Sequence, residues 1–449
     1  MNLKKNDVAF LVYKPLKQRR KNNSFDGNDN IGALVIIDAL NCGGIDVGFC
    51  SPETAHNFRI VLVSLTSTYD VIAFYKSVAI MPQWQKSKRA FKVVAGGFGM
   101  QNPITIRNYI DYAVFGRAHD FICKIIDLLL GGGCVQHESV MCLPDIHNVK
   151  IAQAPLYENK IHFKGGVWRE AFTGCPRKCK FCYFTWSRKS TQNSCDYSQS
   201  ILTDGKSPEL TWDQMMLIEK KAGRIRSAID GFSERLRFAY GKKISNTDII
   251  NGIEHLGSFG GNATVLTAYN ISNMPRENES DRLELYETIA RAKPKTRVIL
   301  VLQSTPFRPS LATPMQHCEV SLYPATSSLS ASVIFDSPKL RAMHSFSNES
   351  PYSQLETVII ERATEATDKL FYAICFSPRL KSLSSKEAIS VIKKNFDLTQ
   401  YLRRYDPEEK HPAWFLNGYI SRDKIINISK KMELKMAAPT VTLQNDEVE

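Results

Sequence analysis

The sequence predicts an α/β chain: a doubly wound parallel sheet first, a second α/β unit behind it, and a small α+β extension at the end. Two patterns lead there. Short, β-branched apolar runs alternate with helical stretches from Val8 onward, which is how parallel sheets with crossover helices are written. The alternation stops at Gly131-Gly132-Gly133 and resumes near residue 160, so the units are separate. A third observation marks the second unit: three cysteines crowd into Cys175-Pro-Arg-Lys-Cys179-Lys-Phe-Cys182.

The elements follow in order. Val8–Tyr13 reads as a buried strand, and a polar, basic loop follows that includes Lys17 and Lys21. Residues 31–40 read as a helix closed by Gly43-Gly44, and Ile45–Cys50 as a second strand. Arg59–Leu65 is a third strand, followed by a helix over Thr68–Val78. Phe91–Ala95 is a fourth, closed by Gly96-Gly97-Phe98-Gly99, and Asp111–Phe115 a fifth, with a helix over His119–Leu130. Ligands on such sheets bind at the carboxyl ends of the strands, here near Lys14, Ser64–Thr66 and Gly96-Gly97. Gly97-Phe98-Gly99 follows the fourth strand rather than the first and has no third glycine in register, so it is not a dinucleotide fingerprint.

Beyond the linker, a strand over Val167–Phe172 leads into the cysteines. Arg224–Arg235 reads as strand, turn and helix, with Ser233 placed to cap, and Ser245 caps the next helix. Ala263–Asn270 and Thr296–Gln303 are further strands, with a helix over Asp281–Ala292 between them. Leu355–Ile360 reads as a strand; Lys386–Asn395 and Asp397–Tyr405 read as helices. The basic stretch from Arg379 to Lys435 carries Phe396, Tyr401, Tyr405, Trp414, Phe415 and Tyr419, a mixture that suits nucleic-acid stacking and phosphate contact, or equally a core under a solvated face.

Composition sets the bounds. The chain has 449 residues, 43% of them hydrophobic, enough for two or three domains. No apolar run reaches the eighteen residues of a membrane span, and the start lacks the apolar region of a signal peptide. Eleven cysteines, scattered except for the central three, do not form a secreted disulfide framework, so a reducing cytoplasm is expected. Lys and Arg number 58 against 45 Asp and Glu, a net charge of +13 that favours polyanion partners.

The chemistry rests on the cysteines. Three thiolates on one short loop suit three irons of a cubane 4Fe-4S cluster and leave the fourth iron open to a small ligand. Structural zinc is the competing reading, with Cys195 or His162 as fourth ligand, although zinc usually takes C-x2-C pairs. Unliganded thiols are the third.

The C-x3-C-x2-C spacing, with Phe181 just before the last cysteine, resembles the signature of the radical SAM superfamily. The resemblance implies that Cys175, Cys179 and Cys182 hold the cluster, that S-adenosylmethionine (SAM) chelates the open iron, and that its cleavage yields a 5′-deoxyadenosyl radical. It implies a partial (β/α)6 barrel over 160–317, with the cluster at the carboxyl ends of the strands. It also implies cofactor contacts at Phe181, Asp230, Ser233 and Arg235. Asp230 suits ribose hydroxyls, and Arg235 suits the methionyl carboxylate. Asn273-Met-Pro-Arg-Glu277 and Thr305–Met315 are similar to later turns of the superfamily. Its Gly-Gly-Glu motif is missing; Glu209 stands near that place. Residues 1–135 resemble the cobalamin-binding-like domain in front of many members, through Gly96-Gly97 and Ile110–Arg117. The Asp-x-His-x-x-Gly that gives cobalt its axial histidine is absent, so cobalamin and a docking domain without it both stay open. The remaining divisions are a linker over 136–159, a basic extension over 318–437 and a disordered tail over 438–449.

The resemblance and the charge together imply modification of a nucleic acid base or its side group by isomerisation or methylation, DNA hypermodification among the options. A flavodoxin or ferredoxin would be the electron donor. The alternatives are the same chemistry on a small metabolite or peptide, and a non-catalytic zinc protein that binds nucleic acid.

Overall fold

The computed structural model describes residues 7–13, 31–163, 166–168, 170, 172–175, 177–192, 224–258, 264–322, 332–346 and 350–437. The expected loop over 14–30, the Glu209 region, Cys195 and the tail lie outside them.

The first unit contains β1 (Val8–Leu11), α1 (Ile31–Cys42), β2 (Val47–Cys50), β3 (Ile60–Ser64), α2 (Thr68–Val78), β4 (Lys92–Gly96), β5 (Tyr112–Val114), α3 (Ile122–Leu130) and β6 (Val140–Cys142). The strand order is β2-β1-β3-β4-β5-β6. All neighbours are parallel except β5 and β6. The order reverses between β1 and β3, which makes the carboxyl edge there the ligand-binding crevice of a doubly wound sheet. The helix over 68–78 has the bounds the sequence predicts, because Ser67 and Asp70 form a reciprocal capping box at its start. The alternation of side chains divides the sheet: Val8, Phe10, Ile60 and Leu62 pack with α1 and α3, while Ala9, Leu11, Val61 and Val63 pack on the α2 side.

A short connecting strand, β7 (Val149–Lys150), leads to two small antiparallel pairs. These are β8 (Ile161–Phe163) with β9 (Gly166–Trp168), and β10 (Phe172–Thr173) with β11 (Thr191–Gln192). The strand expected over Val167–Phe172 is therefore split. Its last part pairs with a strand that follows the cysteines, and α4 (Tyr183–Ser187) lies inside that hairpin.

The second sheet is formed by β12 (Arg224–Ala228), β13 (Thr264–Ser272), β14 (Val298–Pro306), β15 (Ser332–Asp336) and β16 (Leu340–Phe346). Its order is β12-β13-β14-β16-β15, parallel except for β15 at the edge. Helices α5 (Glu234–Ala239), α6 (Asn246–Leu256) and α7 (Glu279–Arg291) connect its first strands. Leu266, Ala268, Leu300, Leu302, Leu340 and Ala342 form one buried face with α6 and α7. The alternate residues Thr267, Tyr269, Val301, Gln303, Met343 and Ser345 are half-buried on the other face. The expected end of this unit is 317; β15 and β16 extend it to Phe346, because β16 pairs along its whole length with β14.

The rest of the chain is not a separate extension. Helices α8 (Pro351–Glu361), α9 (Asp368–Phe376), α10 (Pro378–Ser382), α11 (Ser385–Asn395) and α12 (Thr399–Leu402) return to the first unit, where α8, α9 and α11 share one core with α2. Strand β17 (Leu416–Asn417) pairs with β7, and α13 (Arg422–Ala437) closes the chain. Two expectations are corrected here. Leu355–Ile360 is helical: every residue of 353–361 is buried, so the segment has no polar face to show a helical period, and Ser350 caps it with Pro351 at its first turn. Tyr401, Tyr405 and Phe415 are at most 3% exposed, so these three aromatics are core and offer no stacking surface.

Arg362 ties this region together. It is fully buried and donates to the carbonyls of Tyr401 (2.9 Å), Arg403 (2.8 Å), Gln316 (2.9 Å) and Cys318 (2.5 Å). Arg362→Met would strand four buried acceptors. It is expected to lower stability by about 4 kcal/mol or more in urea unfolding, since each stranded group costs about 1–3 kcal/mol; an unchanged midpoint would contradict the assignment.

Candidate functional site

The cysteine loop starts at Gly174 (φ +69°), turns through Lys178 (φ +53°) and ends in α4. Its own hairpin is only two residues long on each side, so neighbours must hold it. Within the loop, the Cys179 carbonyl accepts from the Trp186 indole N–H (2.8 Å) and from the Cys182 N–H (3.1 Å). From α5, the Tyr240 carbonyl accepts from the Lys180 N–H (2.8 Å), and the Ala239 carbonyl from Lys180 Nζ (2.6 Å). The Lys180 carbonyl in turn accepts from the Met315 N–H (3.2 Å).

Gly241 ends α5 in the left-handed conformation (φ +79°) that a helix C-terminus favours. A Cβ there would lie 2.9 Å from the Lys178 carbonyl oxygen and 3.8 Å from Cys179 Cα. The position therefore needs glycine twice, for its backbone and for the close approach.

The first unit grips the loop from the other side. Arg117, just after β5, forks onto Glu170, donates to Thr173 Oγ1 (3.2 Å) and reaches the Pro155 carbonyl (2.8 Å). Gln153 donates to the Ser187 carbonyl (2.7 Å) and accepts from the Lys189 N–H (2.8 Å). Phe98, in the Gly97-Phe98-Gly99 turn, packs edge-on against Tyr183 (4.9 Å between centroids), and the Arg188 guanidinium lies over both Phe98 and Phe184. The carboxyl edge of the first sheet thus meets the helix that follows the last cysteine.

Cys179 is 6% exposed, and Cys175 and Cys182 are half-buried. Burial pushes the Cys179 thiol up to about 12, with Lys242 pulling it down and Asp230, Cys182 and Cys175 pushing it further up. All five groups therefore share one electrostatic neighbourhood at the carboxyl end of β12. Among the described residues, no three His, Cys, Asp or Glu side chains converge as ligands of one ion.

The predicted SAM contacts fall in two places. Asp230 (φ +54°) sits beside the cysteines, and its carboxylate accepts from Lys242 Nζ at 2.5 Å. Ser233 and Arg235 lie one turn on, at the start of α5. Ser233 is fully buried, accepts from the Leu236 N–H (3.3 Å) and donates to Asp281 (2.6 Å). Arg235 pairs with both Asp281 oxygens (2.9 and 2.8 Å). Both side chains hold α5 to α7 here, and the capping role read for Ser233 is the one it performs. Phe181 packs against a cluster of Leu236, Tyr240, Met315, Met432 and Met436, so α13 backs the cysteine loop.

Sequence reasoning missed Gly241, Lys242, Trp186 and α13. Only Gly241 left a signal, as a glycine just past a helix end.

The chain has no histidine before His56, so the loop after β1 supplies cobalamin no axial histidine. Gly97 and Gly99 are explained by packing inside the first unit, where a Cβ would stand 2.4 Å from the Leu65 carbonyl and 2.3 Å from that of Ser67. Phe98 is already committed to α4.

Gly241→Ala is expected to reduce stability by roughly 1–3 kcal/mol through backbone strain and crowding. It should also lower iron bound per chain after anaerobic reconstitution. Gly132→Ala is the control: its φ is +78°, with nothing within 4 Å of a new Cβ. Equal iron loading in the two variants would contradict the role given to the close approach.

No protein-family profile matches the sequence, and no curated protein matches it. Among solved structures the chain is similar to the cobalamin-dependent S-adenosylmethionine radical enzyme OxsB. With aqua-cobalamin and S-adenosylmethionine bound, that enzyme aligns at 11% identity over 96% of this chain and 79% of its own, with a TM-score of 0.48. Its form with aqua-cobalamin alone aligns at 12% identity over 96% of this chain and 56% of that chain, with a TM-score of 0.33. Likeness at this level assigns no residue and no activity.

Proposed function

We propose that the chain is a radical SAM enzyme in which Cys175, Cys179 and Cys182 hold a 4Fe-4S cluster. The observation that carries this is the cysteine loop itself. It brings three thiols into one electrostatic neighbourhood at the carboxyl end of β12, where barrel-type enzymes do their chemistry. When bound, the cluster and SAM supply one-electron cleavage of the sulfonium and a carbon radical able to take hydrogen from an unactivated C–H bond. The chain's own task is positional. Gly241, Trp186 and Met315 fix the loop, Asp230 and Lys242 place charge beside Cys179, and α13 shields the loop's apolar side behind Phe181.

The substrate we propose is a nucleic acid base or its side group, altered by isomerisation or methylation. The support is charge: +13 overall, with Arg379, Lys381, Lys386, Lys393, Lys394, Lys424 and Lys431 exposed. Such a surface contacts phosphate and would lose affinity steeply with salt. The inward turn of Tyr401, Tyr405 and Phe415 favours the second reading, a small metabolite or peptide substrate, because it removes half of the aromatic set.

Cys179→Ala is expected to abolish 5′-deoxyadenosine formation in an anaerobic assay while leaving the circular dichroism spectrum near that of the parent; continued formation would overturn the cluster assignment. Nucleoside mass spectrometry of DNA and RNA from cells with the parent chain or Cys179→Ala separates the substrates. A nucleoside that depends on Cys179 supports the nucleic-acid reading, and identical profiles transfer the proposal to a small molecule or peptide.

A further inference from the structure

The Asp230–Lys242 pair is buried, with the two side chains 15% and 7% exposed. Burying an ion pair costs desolvation that apolar side chains of the same size would avoid, so its presence calls for a reason. Helix packing does not supply one. Both groups sit at the ends of their elements, Asp230 just past β12 in a left-handed conformation that non-glycine residues seldom adopt, Lys242 just past α5. What they share is the cysteine loop. Gly241, the residue before Lys242, lies against the Lys178–Cys179 backbone, and the Lys242 N–H donates to the Arg237 carbonyl (2.8 Å), which fixes the chain there. Lys180, the lysine inside the loop, is directed to the Ala239 carbonyl instead.

We propose that Lys242, held in place by Asp230, is a positioning charge that sets the reduction potential of the cluster. This rests on the cluster reading given above. Three thiolates and a cubane carry net negative charge, and reduction adds one electron from a low-potential one-electron donor of the flavodoxin or ferredoxin class. No bond forms or breaks, and the site becomes one unit more negative. A fixed ammonium nearby stabilises the reduced state more than the oxidised one, and so raises the potential. The carboxylate acts in the opposite sense.

The test is an EPR-monitored redox titration of the full chain after anaerobic reconstitution with iron and sulfide, with iron and sulfide content measured on each variant. Lys242→Gln is expected to move the midpoint to more negative potential, Asp230→Asn to more positive potential, and Lys242→Arg to leave it close to the parent. Opposite shifts are the signature of charge; a merely structural role would disturb both variants in one direction. Full clusters at the parent potential in both, or shifts of the same sign, would overturn the proposal. If Lys242→Gln fails to load, Asp230→Asn and Lys242→Arg decide the question by the same signs. A parent chain that takes up no iron would instead remove the cluster reading, and this inference with it.

Discussion

The cysteine loop cannot hold its own shape. Two residue pairs of hairpin enclose the seventeen residues from Gly174 to Ser190, so the geometry of three thiols depends on what surrounds them. The decisive contact is the approach of Gly241 to the Lys178 carbonyl and Cys179 Cα. It brings the end of α5 onto the loop, and with it the Ala239 and Tyr240 carbonyls that fix Lys180. Arg117 and Gln153 hold the opposite side from the first unit. The site is therefore a joint between two sheets, and neither unit alone would present it.

This explains the course of the rest of the chain. Helices α8 to α12 return to α2, and β17 pairs with β7, so the C-terminal third fastens the two units to each other. Arg362 ties residues 316–318 at the end of the second unit to residues 401–403 through four carbonyls. Asn102, on the first unit, donates to the Glu361 and Ala363 carbonyls (3.2 and 3.1 Å) and adds a second tie at the end of α8. The segment carrying the basic surface is also the segment that stabilises the joint. Three of its six aromatics, Tyr401, Tyr405 and Phe415, are buried inside, and its lysines are left outside.

Local signals were legible and contextual ones were not. The five parallel strands of the first sheet, the helix over 68–78 and the cap at Ser245 follow from short apolar runs and capping chemistry that act within a few residues, whereas the antiparallel β6 lies in the stretch read as linker. Helix α8 was read as a strand because burial on all sides erased its period. The boundary at 317 was misplaced because β16, Leu340-Arg-Ala-Met-His-Ser-Phe346, mixes Arg and His into a strand whose place depends on pairing with β14. In the site, the cysteines were legible from spacing alone. Lys242 was not, because its partner Asp230 lies twelve residues away and the two meet only when α5 folds back. Ser233 and Arg235 had the right chemistry for a ligand, and the fold uses it on Asp281.

The central claim is that the open iron of a three-cysteine cluster at this loop is where SAM binds. EPR of the reconstituted, dithionite-reduced protein, recorded before and after addition of SAM, tests it directly. The account predicts the signal of a reduced 4Fe-4S cluster whose g values change when SAM is added, because a ligand has joined one iron. A cluster signal indifferent to SAM, or zinc in place of iron, would contradict it.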